Sequence, residues 1–163
     1  MWWHIIIFGL FIIVCCFGFV LFSGAPYLPT LNKQVKVALK LAKLKKGDTI
    51  IELGCGDGKV LIAAARQGLK AVGYELNPVM FVIAWFRTRA YRQQVRVVFG
   101  NFWHKQWPPA EAIYVFLLPR LMDKLDKKIS QLPNKYVVIS FAFKFPHRTP
   151  VVEEEGVLRY DFK

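Results

Sequence analysis

The stretch TIIELGCGDGK, residues 49–59, constrains the fold more than any other part of this chain. A β-branched run enters the turn Gly54-Cys55-Gly56-Asp57-Gly58, and a helix-forming sequence follows. Glycine lets the backbone turn sharply and approach a ligand closely, and the start of the next helix favours an anionic group. Strand, turn and helix in that order open an α/β unit that binds a nucleotide-like cofactor at the turn. The spacing is not the dinucleotide pattern G-x-G-x-x-G, whose third glycine would fall on Lys59. It is E-x-G-x-G-x-G, starting at Glu52. Glu75 comes 21 residues after Gly54, in GYELNP at the end of the next β-rich run. There a carboxylate can accept both hydrogen bonds of a ribose diol.

From residue 48 onward short β-rich runs alternate with longer amphipathic ones, which predicts an α/β domain with a Rossmann-like, mostly parallel sheet. Strands are expected at 49–53, 71–75, 95–99, 112–117 and 136–141, and helices at 59–67, 78–94 and 120–131. The EEEG turn at 153–156, followed by VLRYDF, suits a short antiparallel strand at the C-terminal edge. Before this domain, residues 30–47 have a helical pattern with Thr30 as N-cap and Gly47 as stop. Lys33, Lys36, Lys40 and Lys43 fall on one side of it, Leu31, Val35, Ala38 and Ala42 on another. That basic side suits an anionic membrane or plain solvent.

Residues 2–22 carry no charged side chain, and a bilayer core of about 30 Å needs about 20 such residues. The run reads as one membrane span. A cleaved signal peptide would want a basic leader and a small-residue cleavage site, whereas no Lys or Arg precedes the run and SGA at 23–25 matches poorly. Six lysines between positions 33 and 46 precede the first acidic residue, so the domain is expected on the cytoplasmic or an equivalent reducing side, with Trp2 and Trp3 at the far interface. The organisation is then an anchor at 1–23, a linking segment with its basic helix at 24–46, and a cofactor-binding domain at 47–163. Three cysteines, two of them within the span, give no disulfide framework, and three scattered histidines give no metal site. The net charge of +12 is concentrated beside the span and between Arg87 and Arg96. Anionic lipid accounts for the first cluster, and packing beside a basic face accounts for the second better than RNA does.

IELGCGDGK with GYELNP resembles motif I and the following acidic motif of class I S-adenosylmethionine-dependent methyltransferases. The resemblance implies S-adenosyl-L-methionine as cofactor. It implies that Glu52 organises the methionine end, that Gly54 and Gly56 approach the cofactor, and that Glu75 holds the ribose. Cys55, Gly58 and Leu76 complete these two motifs as cofactor candidates. Where that family has an acidic residue near the adenine amine, GNFW has Asn101, whose amide oxygen can still accept a hydrogen bond. Phe102 beside it can cover the adenine or pack in the core. An apolar N-terminal run, Y-x-P-T at 27–30, YELNP, GNFW and VFLLP together resemble the small membrane-anchored protein-lysine methyltransferases that modify the adenine nucleotide translocase and the c-ring protein of ATP synthase. That likeness implies lysine N-methylation without transferring a substrate.

Methyl transfer to an amine is an in-line displacement that needs alignment and exclusion of water more than a dedicated base. Tyr27, Thr30, Leu118 and Pro119 are the candidates for the methyl-transfer side, with Phe102 and Trp103 making it aromatic. The fourth strand ends FLLP, not the N/D-P-P-Y that holds a base amine, so a nucleic acid acceptor is disfavoured. A lipid amine, a small hydrophobic molecule and a non-catalytic cofactor-binding role remain the alternatives. APYLPT at 25–30 reads as a rigid lid over the cofactor mouth, with a linker as its alternative.

Overall fold

The structure, a computed structural model, describes residues 2–23 and 30–162. Seven strands form one sheet in the order β3-β2-β1-β4-β5-β7-β6. The first five in space are parallel: β3 (Val95–Phe99), β2 (Lys70–Glu75), β1 (Thr49–Leu53), β4 (Ala112–Val115) and β5 (Tyr136–Phe141). β7 (Val157–Phe162) and β6 (Val152–Glu154) close it antiparallel. The expected Rossmann-like sheet with an antiparallel C-terminal edge is therefore present. The tail supplies two strands where one was expected. Glu153 and Glu154 belong to β6, and the turn residues Glu155 and Gly156 both have positive φ, so the chain returns as a hairpin.

Alternating side chains of the strands bury both faces. Ile50, Ala112, Tyr114 and Ile139 pack under α2 (Asn32–Ala42), α3 (Lys59–Arg66) and Ala84 of α4 (Pro78–Thr88). Ile51, Leu53, Ile113, Val115 and Val138 pack with Met122, Leu125 and Ile129 of α5 (Pro119–Ser130). Those α5 positions recur at intervals of three and four, which puts one apolar stripe on the sheet. Each such side chain contributes about 1.5–3 kcal/mol when fully buried.

Several boundaries differ from the sequence pattern for identifiable reasons. α2 has Leu31 as N-cap, with no side-chain cap, because the Thr30 hydroxyl is engaged with Tyr114 instead. It ends at Ala42, where Lys43 takes the left-handed conformation, and Gly47 serves the next turn, its N–H bonding to Gly68. Its apolar side lies on the domain as expected, while Lys33 and Lys40 pair with Glu155 and Glu154 of the β6–β7 hairpin. α4 stops at Thr88, whose hydroxyl bonds the Ala84 carbonyl, and a 3₁₀ turn at Arg89–Tyr91 follows. β4 ends at Val115, where its register with β1 and β5 also ends.

Trp2–Ser23 forms one helix, α1. Its side chains at Trp2, Trp3, Ile5, Phe8, Phe11 and Val14 are exposed. Among the described residues, no helix is long and apolar enough to cross a membrane.

Candidate functional site

In this strand order the chain moves from β1 to β2 in one direction and returns to β4 on the other side of β1. The carboxyl ends of β1 and β4 therefore flank the switch point, where open α/β sheets bind ligands. Glu52 on β1 and Tyr114 on β4 are register partners there.

The glycine turn leaves β1 at this point. Gly54, Gly56 and Gly58 all have positive φ. A Cβ on Gly54 would meet nothing within 4 Å, so the turn is open in front of this residue. At Gly58 the constraint is packing: a Cβ would sit 3.1 Å from Thr88 Cγ2 and 3.4 Å from Ala84 Cβ. The turn is fastened to β2 through Gly54 N–H and Cys55 N–H, which both donate to the Tyr74 carbonyl at 3.0 and 2.9 Å. Arg87 of α4 pairs with Asp57 on its outer side.

Glu75, only 7% exposed, braces the same turn. Its Oε2 accepts from Gly56 N–H at 2.7 Å and its Oε1 from Asn77 N–H at 2.8 Å. Burial raises its pKa above the ordinary carboxylate range, and these backbone donors, with that of Leu76, oppose the shift. Asn77 then caps α4, accepting from Val79 and Met80, with Pro78 in the first turn. Leu76 is half-buried between these two anchors.

Glu52 is 5% exposed, and its Oε2 has no hydrogen-bond partner in the protein. Burial, then the charges of Asp57 and Glu75, push its pKa well above the ordinary range. An orphaned carboxylate oxygen costs about 1–3 kcal/mol or more, so it calls for a donor supplied from outside the chain. The cationic amino group of an amino acid moiety meets that need. With the open face at Gly54, the site fits S-adenosyl-L-methionine.

Other candidates are placed differently from the expectation. The Cys55 thiol is buried against Gly73, and burial holds it protonated, so Cys55 offers the turn its backbone shape alone. The Asn101 amide oxygen caps the 3₁₀ turn Phe102–His104, accepting from Trp103 N–H at 3.0 Å. Phe102 lies in a ring cluster with Trp103 and Trp107, at centroid distances of 4.7 and 6.5 Å. Lys124 sits over Trp103 and Lys128 over Trp107, so α5 covers this cluster with cations. Leu118 and Pro119 are the N-cap and first residue of α5; Leu118 is half-buried and Pro119 exposed. Tyr27 lies outside the described residues.

Thr30 is tied to the sheet. Its Oγ1 lies 3.2 Å from the Tyr114 hydroxyl, and its carbonyl accepts from Lys59 Nζ at 2.9 Å. Burial raises the Tyr114 pKa, keeping the phenol neutral. Tyr114 and Lys59 were not among the sequence candidates. Tyr114 is detectable as the polar residue of AIYV in register with the motif glutamate. A further ring cluster was also missed: Phe116 lies 4.8 Å from Phe141 and stacks on Phe143 at 6.0 Å, beyond the ends of β4 and β5. Ala142, with a φ of 67°, makes the sharp turn that brings Phe143 there. Nothing in the sequence of FAFK marks that turn, because glycine is the usual residue for it.

Comparison with known proteins agrees with this geometry. The chain is 28% identical to the RNA methyltransferase of Salinibacter ruber solved with S-adenosyl-L-homocysteine, with a TM-score of 0.75 over 83% of this chain and 92% of that one. Sheet, turn and buried carboxylates define a class I methyltransferase whose cofactor is S-adenosyl-L-methionine. The family profile of the ANTKMT methyltransferase domain matches residues 52–152, and the chain belongs to that family. It is 34% identical to the human lysine N-methyltransferase named for the c-ring protein of ATP synthase, over 81% of this chain and 58% of that protein. With the mouse adenine nucleotide translocase lysine N-methyltransferase it is 33% identical over 82% of this chain and 60% of that one. The chain thus spans less than two thirds of either relative.

Proposed function

We propose that this protein methylates the side-chain amine of a lysine in a membrane-associated protein, using S-adenosyl-L-methionine. The observation that carries the reading is the buried, unpartnered Glu52 oxygen beside the open Gly54 turn. Two relatives named as lysine N-methyltransferases support the choice of acceptor.

When bound, the cofactor supplies a methyl group on a sulfonium sulfur. Glu52 accepts from the amino group of the methionine portion, Gly54 and Gly56 allow close approach, and the remaining acceptor sites of Glu75 take the ribose hydroxyls. Leu76, Asn101 and Phe102 border the base. On the acceptor side, Thr30, Leu118 and Pro119, with Tyr27 ahead of them, line the entry, and Phe116 and Phe143 keep it poorly hydrated. A lysine must lose its proton before its lone pair can attack carbon, and a dry aromatic entry disfavours the charged ammonium. Tyr114 holds Thr30 in position and remains neutral. In this reading α1 is a single-pass anchor that keeps the domain on the cytoplasmic or an equivalent reducing side.

Labelled cofactor and purified enzyme, added to membranes from cells lacking the gene, test this. Label in a protein band that hydrolyses to methyl-lysine is expected. Label in the lipid extract overturns the lysine acceptor in favour of a lipid amine, and label in RNA favours an acceptor like that of the Salinibacter enzyme. Cofactor binding without any transfer leaves a non-catalytic module.

A further inference from the structure

α4 reads PVMFVIAWFRT, apolar at every position until Arg87. Only Ala84 and Thr88 are buried. A surface helix on a soluble domain turns polar residues outward; one that is apolar all round is covered by something. Here the outward side is Val82, Trp85 and Phe86, with exposures of 59%, 60% and 55%, and at 100° per residue they span one continuous arc. Phe99, at the free edge of the sheet on β3, is 49% exposed and continues the patch beyond Phe81, its ring neighbour at 5.3 Å.

The border of this patch is basic. Arg89 lies over the Phe86 ring at 4.2 Å, and Arg89, Arg92 and Arg96 are exposed. From residue 76 to residue 110 the sequence has five basic side chains and no acidic one. α1 also contacts α4, so the proposed anchor and this helix share one side of the domain. Apolar side chains including a tryptophan, ringed by arginines, match the boundary between acyl chains and anionic headgroups. At eleven residues α4 is too short to cross a bilayer, and its axis suits lying in that boundary.

We infer that α4 is a second membrane contact: Val82, Trp85 and Phe86 insert at the headgroup level of an anionic bilayer while Arg89, Arg92 and Arg96 pair with its phosphates. The inference rests on the anchor reading of α1, which it deepens by fixing how the domain sits on the surface. The full chain with Cys15→Ser and Cys16→Ser keeps only the buried Cys55 thiol, so a fluorophore can be placed at Val82→Cys, Ile7→Cys or Lys127→Cys. Each protein is reconstituted in phosphatidylcholine vesicles with or without phosphatidylglycerol, and calorimetry with the cofactor confirms folding. Expected is quenching of the position 82 label by headgroup-level spin-labelled lipid, strongest with phosphatidylglycerol, while the label at 127 responds to aqueous iodide alone. Arg89→Glu with Arg92→Glu should bring position 82 down to the level of 127. Iodide access at 82 with lipid quenching at 7 overturns the α4 contact and leaves the anchor intact. Lipid quenching at 82 with iodide access at 7 does the reverse. Shielding from iodide without lipid quenching, whether by a second copy or by added RNA, overturns the lipid assignment.

Discussion

Both oxygens of Glu75 are already accepting hydrogen bonds from the backbone, from Gly56 and from Asn77. A carboxylate has about four acceptor sites, so it can brace the turn and take a diol at once. Glu75→Ala should therefore do two things. It should weaken cofactor binding by about 1.5–3 kcal/mol, the usual worth of hydrogen bonds to a charged group, and it should lower the melting temperature of the apo protein. Calorimetry showing unchanged affinity would remove Glu75 from the pocket. Glu52 makes a prediction about pH. Its folded pKa lies above its unfolded one, so between the two the native state holds the extra proton. Stability of the apo protein should then fall as pH rises from the ordinary carboxylate range toward the raised folded pKa. Glu52→Gln should remove that slope. Cofactor binding near neutral pH should release protons in the native protein and fewer in the variant, measurable as a dependence of calorimetric heat on the buffer.

Between elements, close approach is the controlling factor. Gly73 in the middle of β2 lets α3 and the glycine turn sit against the sheet, since a Cβ there would lie 2.5 Å from Leu61 Cδ1 and 2.8 Å from Cys55 Cβ. Gly73→Ala should destabilise the fold by about 1–3 kcal/mol through overpacking, read as a lower midpoint in denaturant. The segment ahead of α2 is held by one hydroxyl pair and one lysine. A double-mutant cycle of Thr30→Val and Tyr114→Phe should return a coupling of about 0.5–1.5 kcal/mol, with turnover falling more than cofactor affinity. Full turnover in both variants would return residues 25–30 to the role of a linker. The ion pairs of Lys33 and Lys40 with the β6–β7 hairpin are exposed and should contribute about 0.2–1 kcal/mol each.

For the whole molecule, the proposed function couples a cofactor domain to a surface. If α1 anchors the chain, placing charges in it, as in Ile7→Lys with Phe11→Lys, should release the protein from membranes on alkaline extraction. Methylation of membrane acceptors should drop while cofactor affinity in solution stays the same. Retention in the membrane pellet would move the anchoring elsewhere.

The alternation of strand and helix, the glycine turn and the glutamates on either side of it were legible in the residues because they follow local rules: period, turn chemistry and spacing along one strand–turn–helix unit. These determined the class of fold and the cofactor. Tertiary structure alone decided how the site is occupied from within. Glu75 and Asn101 spend acceptors on nearby backbone, Cys55 turns into the core, and Tyr114 reaches Thr30 across 84 positions of sequence. It also decided that Val82, Trp85 and Phe86 stay outside, since an apolar run looks the same in a sequence whether the fold buries it or leaves it facing out.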